Sequence, residues 1–311
     1  MQTVLSSSRL RSRGPNPLHR SASKKILKIG NTRLLGYWND APTHRSKGLV
    51  ILLHGWEGSA FSTYILCTGR TLHRNGYAVF RLNYRDHGQS HHLNEGLFYA
   101  SLLDEVYGSV KQAAGRLDNV PVFIVGFSLG GNFALRIAKR CTAEPIPALR
   151  HIVCISPLLD PDQATERIDA VPYIRRYFLK KWRRSLTQKQ HSFPRRYDFN
   201  GLRRIDSVRQ MTEMLLARYS RYGSIQEYFD EYTLREDALR DIDIPVTLLT
   251  AEDDPIIAAE DFRRLELPAR SRLAVQSYGG HNGFIQGPSL KSWYEPRLVA
   301  LFDTIATSTL Q

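Results

Sequence analysis

The sequence predicts an α/β fold with a mostly parallel, doubly wound sheet and a helical cap insertion. Short apolar runs typical of strands buried on both faces, such as 49–53 and 122–127, alternate with stretches of helical spacing. Strands that alternate with helices favour a parallel sheet. The alternation stops at about 160–240, where helical stretches and basic loops occur without a clear apolar strand, and it resumes at 245–251. We therefore expect one domain at 24–311, with the insertion above the carboxyl ends of the strands.

The individual elements follow from local composition. A β-hairpin is expected at 26–38 around the turn Gly30-Asn31, and later strands are marked by β-branched or aromatic runs bounded by turn residues. Helices are marked by apolar residues three and four positions apart. The remaining strands are expected at 49–53, 77–84, 120–127, 152–155, 245–251 and 273–278, and the helices at 64–74, 97–117, 134–140, 173–182, 208–222 and 288–307.

The overall composition is that of a globular protein. Hydrophobic residues make up 42% of the 311 residues and charged residues 23%, and no apolar run approaches the ~20 residues needed to cross a bilayer. The only cysteines are Cys67, Cys141 and Cys154, whose spacing gives neither a disulfide framework nor a zinc site. So sparse a set is typical of a reducing compartment. We therefore expect a cytoplasmic protein that needs no cofactor and no metal.

The net charge of +13 is concentrated in two segments. Residues 1–33 carry eight Lys/Arg and no acid, and residues 173–210 carry twelve Lys/Arg against two acids. Basic surfaces attract phosphates and anionic lipids, and no nucleic-acid-binding motif accompanies them. We expect the basic cap to contact an anionic membrane surface peripherally, with no binding of nucleic acid. A solvated positive surface is the alternative.

The N-terminal segment, residues 1–23, is rich in Ser, Arg and Pro and has almost no hydrophobic periodicity. We expect it to lack fixed structure. It contains no apolar stretch of the kind found in a secretory signal. Its Arg/Ser-rich, acid-free composition is shared with organellar transit peptides, which leaves that alternative open.

A Gly-x-Ser-x-Gly pattern at 126–130 follows a predicted strand and precedes a run of helix-forming residues. A serine at such a strand-to-helix turn needs neighbours almost without side chains, which Gly126 and Gly130 supply. The turn presents Ser128 at the carboxyl end of the strand, next to the positive end of the helix dipole. Ser128 is therefore the expected nucleophile, and an ordinary tight turn is the alternative.

A serine nucleophile needs a base, and the base needs an orienting acid, in the chain order Ser, acid, His for sheets of this kind. The acid is expected just after the strand at 245–251, where Asp254 precedes a Pro-Ile-Ile turn and Asp253 is the other candidate. His281 lies in the glycine-flanked loop after the next strand. We expect Asp254 and His281 to serve Ser128.

The reaction also needs donors for an oxyanion. One is expected to be the amide of Leu129, directly after the nucleophile, and the other the amide of Trp56, in the loop after an earlier strand. The imidazole of His54 is expected to brace that loop, and residues 85–88 to support it.

These motifs together resemble the α/β-hydrolase superfamily and, within it, the YheT-like hydrolases. The resemblance spans about residues 25–308 and rests on His54-Gly55-Trp56-Glu57-Gly58-Ser59, Gly126-Phe127-Ser128-Leu129-Gly130-Gly131-Asn132, Asp253-Asp254-Pro255 and Gly279-Gly280-His281 with Gly283-Phe284. It implies Ser128 as nucleophile, Asp254 as orienting acid and His281 as base. It also implies the amides of Trp56 and Leu129 as oxyanion donors. The branch includes predicted bacterial hydrolases and eukaryotic esterases, phospholipases and alcohol acyltransferases.

Two positions depart from the pattern of these hydrolases. They commonly have Leu at the position of Trp56, and an Asn-x-Arg-Gly run where this chain has Asn83-Tyr84-Arg85-Asp86. We expect Trp56 to narrow the acyl pocket. We expect Asp86 to affect the shape of the pocket without touching Ser128, Asp254 or His281.

The expected function is that of a serine hydrolase, which cleaves carboxylic esters of short or medium acyl chains, or of lipids, through an acyl-enzyme. The bulky cap residues Phe178, Trp182, Tyr197 and Tyr219 are expected to supply a hydrophobic acyl site. Two alternatives stay open: acyl transfer to an alcohol acceptor, and a catalytically silent binding protein on a hydrolase scaffold. The complete set of Ser, acid and His argues against the silent protein.

Overall fold

The computed structural model describes residues 2–12, 14–287 and 290–309. The main sheet consists of β1 (Ser23–Ile29), β2 (Thr32–Asn39), β3 (Leu49–Leu53), β4 (Ala78–Asn83), β5 (Val122–Phe127), β6 (Leu149–Ile155), β7 (Val246–Ala251) and β8 (Arg272–Gln276). Its order is β1-β2-β4-β3-β5-β6-β7-β8. β2 runs antiparallel to β1 and β4, and the other pairs are parallel. The predicted hairpin and mostly parallel sheet are confirmed.

Helices surround this sheet. They are α1 (Gln2–Ser6), α2 (Pro17–Arg20), α3 (Thr63–Arg74), α4 (Leu103–Ala114), α5 (Leu129–Cys141), α6 (Pro161–Ala170), α7 (Pro172–Ser192), α8 (Val208–Tyr219), α9 (Ile225–Asp230), α10 (Ala259–Arg263) and α11 (Tyr294–Thr309), with a small hairpin of β9 (Ile285–Gln286) and β10 (Lys291–Ser292). No helix in the described part of the chain is both long and apolar enough to span a bilayer.

Helix α4 is shorter than the expected helix at 97–117. The backbone before it bonds to side chains instead of to a helical turn: the Phe98 amide donates to Asp86 (2.9 Å) and the Ala100 amide to the Tyr228 hydroxyl (2.9 Å). These tertiary contacts override the local helical spacing.

The core lies on both faces of the sheet, as the continuous apolar strands require. In β3, Leu49 and Ile51 pack into the cluster that contains α4 and α5, whereas Val50 and Leu52 pack into the cluster of α3 and α11. All five residues of β3 are fully buried. The sheet therefore forms a rigid support whose strand ends can hold a site.

Helices α6 to α9 fall between β6 and β7, and we call them the cap. Asp160 caps the N-terminus of α6 through the amides of Asp162 and Gln163. The Asp169 carboxylate, at the other end of α6, accepts hydrogen bonds from the Val208 and Arg209 amides at the start of α8. A side chain of α6 thus accepts the free amides at the start of α8 and joins these two helices.

Residues 1–23, for which the sequence predicts no fixed structure, differ from that expectation where they are described. They contain α1, a short 3₁₀ turn at Arg9–Ser12 and α2, and Leu18 is fully buried. Hydrophobic periodicity is absent because polar groups hold much of the segment, together with the buried Leu18. The Asn16 side chain caps α2 through the Leu18 amide, and it also donates to the Leu66 carbonyl of α3.

Arg11 makes the most extensive of these polar contacts. Its guanidinium donates to the carbonyls of Leu290 and Ser6 and forms an ion pair with Glu295 of α11 (3.3 Å), and both side chains of the pair are almost fully buried. Burial raises the pKa of the Glu295 carboxyl, and Arg11 opposes that rise. A buried carboxylate that lost this partner would be costly.

We predict that Arg11→Met lowers the free energy of unfolding by about 3–5 kcal/mol, because it leaves the Glu295 carboxylate buried and unpaired. Denaturant titration of the variant measures the change. Arg74→Met removes an exposed guanidinium of α3 and should stay within about 0.5 kcal/mol of wild type. Equal losses in the two variants would contradict the assignment.

Candidate active site

Ser128 occupies a strained turn between β5 and α5. Its backbone has φ of 52° and ψ of −117°, in the positive-φ region that residues with side chains rarely adopt. A Cβ on Gly126 would overlap the Gly130 carbonyl oxygen, and one on Gly130 would overlap the Leu53 carbonyl oxygen. Both positions therefore require glycine, and the turn keeps the Ser128 hydroxyl partly exposed to the cavity above it.

Ser128, His281 and Asp254 form one chain of hydrogen bonds. His281 Nε2 lies 2.8 Å from Ser128 Oγ, and Nδ1 lies 2.9 Å from Asp254 Oδ2. The Asp254 carboxylate also accepts the amides of Ile256 (2.8 Å) and Ile257 (3.1 Å), which fix its orientation. In this arrangement, Nδ1–H donates to Asp254 and the free Nε2 can accept the Ser128 proton.

Asp253, the other acid candidate, lies beside this chain but does not contact the imidazole. Its Oδ1 accepts the amides of Gly279 and Gly280, both at 2.7 Å. The structure therefore gives the two neighbouring acids different contacts: Asp254 meets the ring of His281, and Asp253 holds the loop that carries it.

The amides of Trp56 and Leu129 have no acceptor among the described residues. Leu129 is the first residue of α5, where no intrahelical acceptor exists. The Trp56 loop packs directly against the turn between β5 and α5, since a Cβ on Gly55 would lie 3.2 Å from the Ser128 Cβ. Amides without an acceptor close to a serine are what an oxyanion site requires.

Two buried histidines support the Trp56 loop. His54 Nδ1 lies 2.8 Å from the Gly55 carbonyl, and burial lowers the pKa of His54 to about 3. His87 Nε2 accepts the Glu57 amide (3.2 Å) while Nδ1 bonds the Arg85 carbonyl (2.7 Å), and burial lowers the pKa of His87 well below its ordinary value. Both rings are therefore neutral, which leaves Nε2 of His87 able to accept. No group of three His, Cys, Asp or Glu in the described residues is placed to hold a metal.

A cavity of about 930 Å³ opens above Ser128, under the cap. Trp56 stacks on Phe178 of α7 (ring centroids 5.2 Å apart) and meets Trp182 edge-on (5.0 Å). These three rings and Ser128 line the same cavity, so Trp56 occupies space within it. Tyr197 and Tyr219, expected in the same acyl site, instead pack against each other and Phe199 elsewhere in the cap.

The cap is joined to the loop after β4 by an ion pair that sequence analysis missed. The ammonium of Lys189 in α7 binds Asp86 Oδ1 (2.8 Å) and the carbonyls of Asn94 (2.7 Å) and Gly96 (2.8 Å), with 1% of its side chain exposed. Lys189 lies three residues after the buried Leu186, on the inner face of the helix. A lysine at a helix position that usually holds an apolar residue was the sequence signal that could have indicated this buried ion pair.

Solved hydrolase structures share this fold. The Pyrococcus furiosus esterase Pf2001 matches with a TM-score of 0.62 at 18% identity, over 94% of both chains. A soluble variant of monoglyceride lipase from Saccharomyces cerevisiae matches with a TM-score of 0.61 at 16% identity, over 94% of this chain and 99% of that one. At these identities the likeness concerns the fold alone.

Two curated relatives are lipases by name. Mouse (Mus musculus) phospholipase ABHD3 is 22% identical over 255 residues, which is 81% of this chain and 61% of the relative. Zebrafish (Danio rerio) monoacylglycerol lipase ABHD2 is 24% identical over 205 residues, 59% of this chain and 48% of the relative. The chain thus spans about half to three fifths of the length of these relatives.

A family model described as serine aminopeptidase, S33 (Hydrolase_4) matches residues 44–281. The match covers more than half of the chain and extends from the residues just before β3 to His281. The chain therefore belongs to the serine aminopeptidase S33 family, within the α/β-hydrolase superfamily.

Proposed function

We propose that the protein is a serine hydrolase that cleaves carboxylic esters through an acyl-enzyme. The observation that carries the proposal is the chain Ser128–His281–Asp254, with a base 2.8 Å from a nucleophile and an acid 2.9 Å from the base. The names of the phospholipase and monoacylglycerol lipase relatives support an ester substrate. We retain the YheT-like assignment within the superfamily as a prediction from the sequence motifs.

The proposed reaction begins when His281 Nε2 takes the proton of Ser128 Oγ as the oxygen attacks the ester carbonyl carbon. The carbonyl oxygen becomes an oxyanion between the amides of Trp56 and Leu129, and Asp254 stabilises the imidazolium. Collapse breaks the bond to the alcohol oxygen, which leaves with the proton from His281. Water, deprotonated by His281, then attacks the acyl carbon and releases the acid and Ser128.

The apolar cavity supports a substrate with a hydrophobic acyl chain. The side chains around Ser128 include Phe178 and Trp182, with Leu215, Leu216 and Phe229 from α8 and α9. The volume of about 930 Å³ lies in the upper range for sites that hold small organic ligands. A medium-chain acyl ester or a lipid ester therefore fits the space better than a short, polar ester.

We further propose that α7 rests on an anionic membrane surface, from which the ester enters. Tyr173, Arg176, Tyr177, Lys180 and Arg184 recur at spacings of three and four on the exposed side of α7. The side contains no acid, and both tyrosines also line the cavity mouth. Cations beside exposed aromatic rings suit an interface that is negatively charged outside and apolar within.

We predict that Ser128→Ala lowers kcat by at least about 10⁴-fold with p-nitrophenyl esters and abolishes labelling by a fluorophosphonate probe. Asp254→Asn should cost about 10⁴-fold, because the amide favours the wrong histidine tautomer. Asp253→Asn is the matched control: its amide oxygen can still accept the Gly279 and Gly280 amides, so less than about tenfold should be lost. Full activity in Ser128→Ala, or equal losses in the two Asp variants, would overturn the assignment.

We predict that kcat/KM rises with acyl length from acetate into the medium-chain esters, by up to about fourfold per methylene, since each buried methylene contributes about 0.8 kcal/mol. Trp56→Leu keeps the backbone amide but removes a ring from the cavity, so the optimum should move to longer chains. The measurement is a p-nitrophenyl ester series for both proteins. A flat series, or an unchanged optimum in Trp56→Leu, would contradict this role of the cavity.

We predict that the protein co-sediments with vesicles that contain anionic lipid better than with neutral vesicles, and that salt weakens the difference. Arg176→Glu with Lys180→Glu should lower that binding by at least about tenfold, since each basic residue near the surface contributes about 1 kcal/mol. Lys111→Glu with Lys139→Glu, which reverses two exposed charges on α4 and α5, is the control. Equal binding to both vesicle types, or equal loss in both double variants, would remove the proposal.

A further inference from the structure

The loop that carries His281 has a tightly wound backbone. Gly280, Asn282 and Phe284 all have positive φ, at 52°, 66° and 48°. The amides of Gly283 and Phe284 both donate to the Gly279 carbonyl. Positive φ at non-glycine residues costs free energy and persists only where surrounding contacts fix it. The contacts that fix this loop therefore also determine where the imidazole lies.

Asp253 holds the loop from the sheet side, and residues 2 and 3 hold it from the outside. The His281 amide donates to Thr3 Oγ1 at 2.9 Å. The Gln2 side chain pairs with both backbone groups of Ile285, accepting the amide at 2.8 Å and donating to the carbonyl at 3.2 Å. The amide of the proposed base thus has a partner nearly the whole chain length away in sequence.

The two glycines of the His281 loop, Gly280 and Gly283, leave room for residues 2 and 3 to lie against it. A Cβ on Gly280 would lie 2.8 Å from Thr3 Oγ1 and 2.9 Å from Gln2 Cβ, and one on Gly283 would lie 2.7 Å from the Gln2 carbonyl oxygen. Side chains at either position would push α1 away. The glycines of the loop therefore serve its contact with α1 as well as its own turn.

The segment that makes these contacts is anchored by two further residues, Ser7 and Arg11, which follow Gln2 and Thr3 in the chain. The Ser7 carbonyl accepts the Thr63 hydroxyl of α3 (3.2 Å), and Arg11 binds the Leu290 carbonyl and Glu295. We call residues 2–12 the strap. The strap is held to α3 and α11, which are parts of the folded body, and it carries Thr3 to the His281 amide.

We propose that the strap positions the His281 loop, with Thr3 as a positioning residue for the general base. The inference rests on the proposed function, since it concerns the same imidazole. Without the Thr3 hydroxyl, the largely buried His281 amide has no partner, and an unpaired buried donor favours displacement of the loop. A shift of 1 Å in a catalytic group can cost up to about 10²-fold in rate.

The test compares Thr3→Val, which keeps the shape and removes the acceptor, with Thr3→Ser, which restores it. Steady-state kinetics with a p-nitrophenyl ester should give a fall of about 10–100-fold in both kcat and kcat/KM for Thr3→Val, with KM within about twofold. Such a split marks a loss in the chemical steps and not in ground-state binding. Thr3→Ser should return to within about threefold of wild type.

Thr304→Val is the matched control, because the same chemical change on α11 removes only a bond to the Ala300 carbonyl. It should leave kcat unchanged. Gln2→Ala, which removes both bonds to Ile285, is the second variant and should also lower kcat with little effect on KM. Thermal unfolding of each protein tests whether a loss of rate merely follows a loss of folded protein.

Wild-type kinetics in Thr3→Val, with Ser128→Ala inactive, would overturn the strap and leave the proposed function intact. A loss in Thr3→Val that Thr3→Ser does not rescue, or that follows a matching loss of folded protein, would also overturn it. Full activity in Ser128→Ala would instead refute the proposed function itself.

Discussion

The arrangement of the site depends on the strained backbone of Ser128. A positive φ at a serine costs free energy. Here the turn at Ser128 is fixed by close packing, because α5 and the end of β3 both lie against it. The same close packing brings the Trp56 loop to the serine. One constraint therefore fixes the Ser128 turn, the start of α5 and the position of the Trp56 loop. Substitution at Gly126 or Gly130 would disturb all three.

The cap depends on a different interaction, the ion pair of Lys189 with Asp86. Asp86 has a φ of 56°, a conformation that residues with side chains rarely adopt. An aspartate at this position therefore carries a backbone cost, and its carboxylate binds both Lys189 and the Phe98 amide. Lys189 lies on the helix that bears Phe178 and Trp182, so this contact links Asp86 to the helix whose aromatic rings line the cavity.

The features that could be predicted from the sequence are those marked by a pattern of neighbouring residues. Apolar runs identified the strands, and the order of Ser, acid and His after three strand ends selected residues that the structure brings together. The local signal for Asp254 over Asp253 was the Pro-Ile-Ile turn that follows it; the different partners of the two acids depend on the fold, since both residues follow β7. Tyr197 and Tyr219 were expected in the acyl site on aromatic character alone, and the direction of a side chain in a helical cap depends on tertiary packing. The fixed structure of the N-terminal segment was not predicted, because most of the contacts that attach it to the body are polar.

Buried cations explain why the composition did not indicate that the N-terminal segment is attached. Arg11, Arg81 and Lys189 are each at most 5% exposed and come from the strap, the sheet and the cap. Arg81 in β4 donates to the carbonyls of Leu18 and Ala60, and burial lowers the pKa of its guanidinium to about 10. Such cations are tolerated only where carbonyls and carboxylates from other segments surround them. Part of the positive charge in the two basic segments therefore lies inside the molecule, where it joins the N-terminal segment and the cap to the body that holds Ser128.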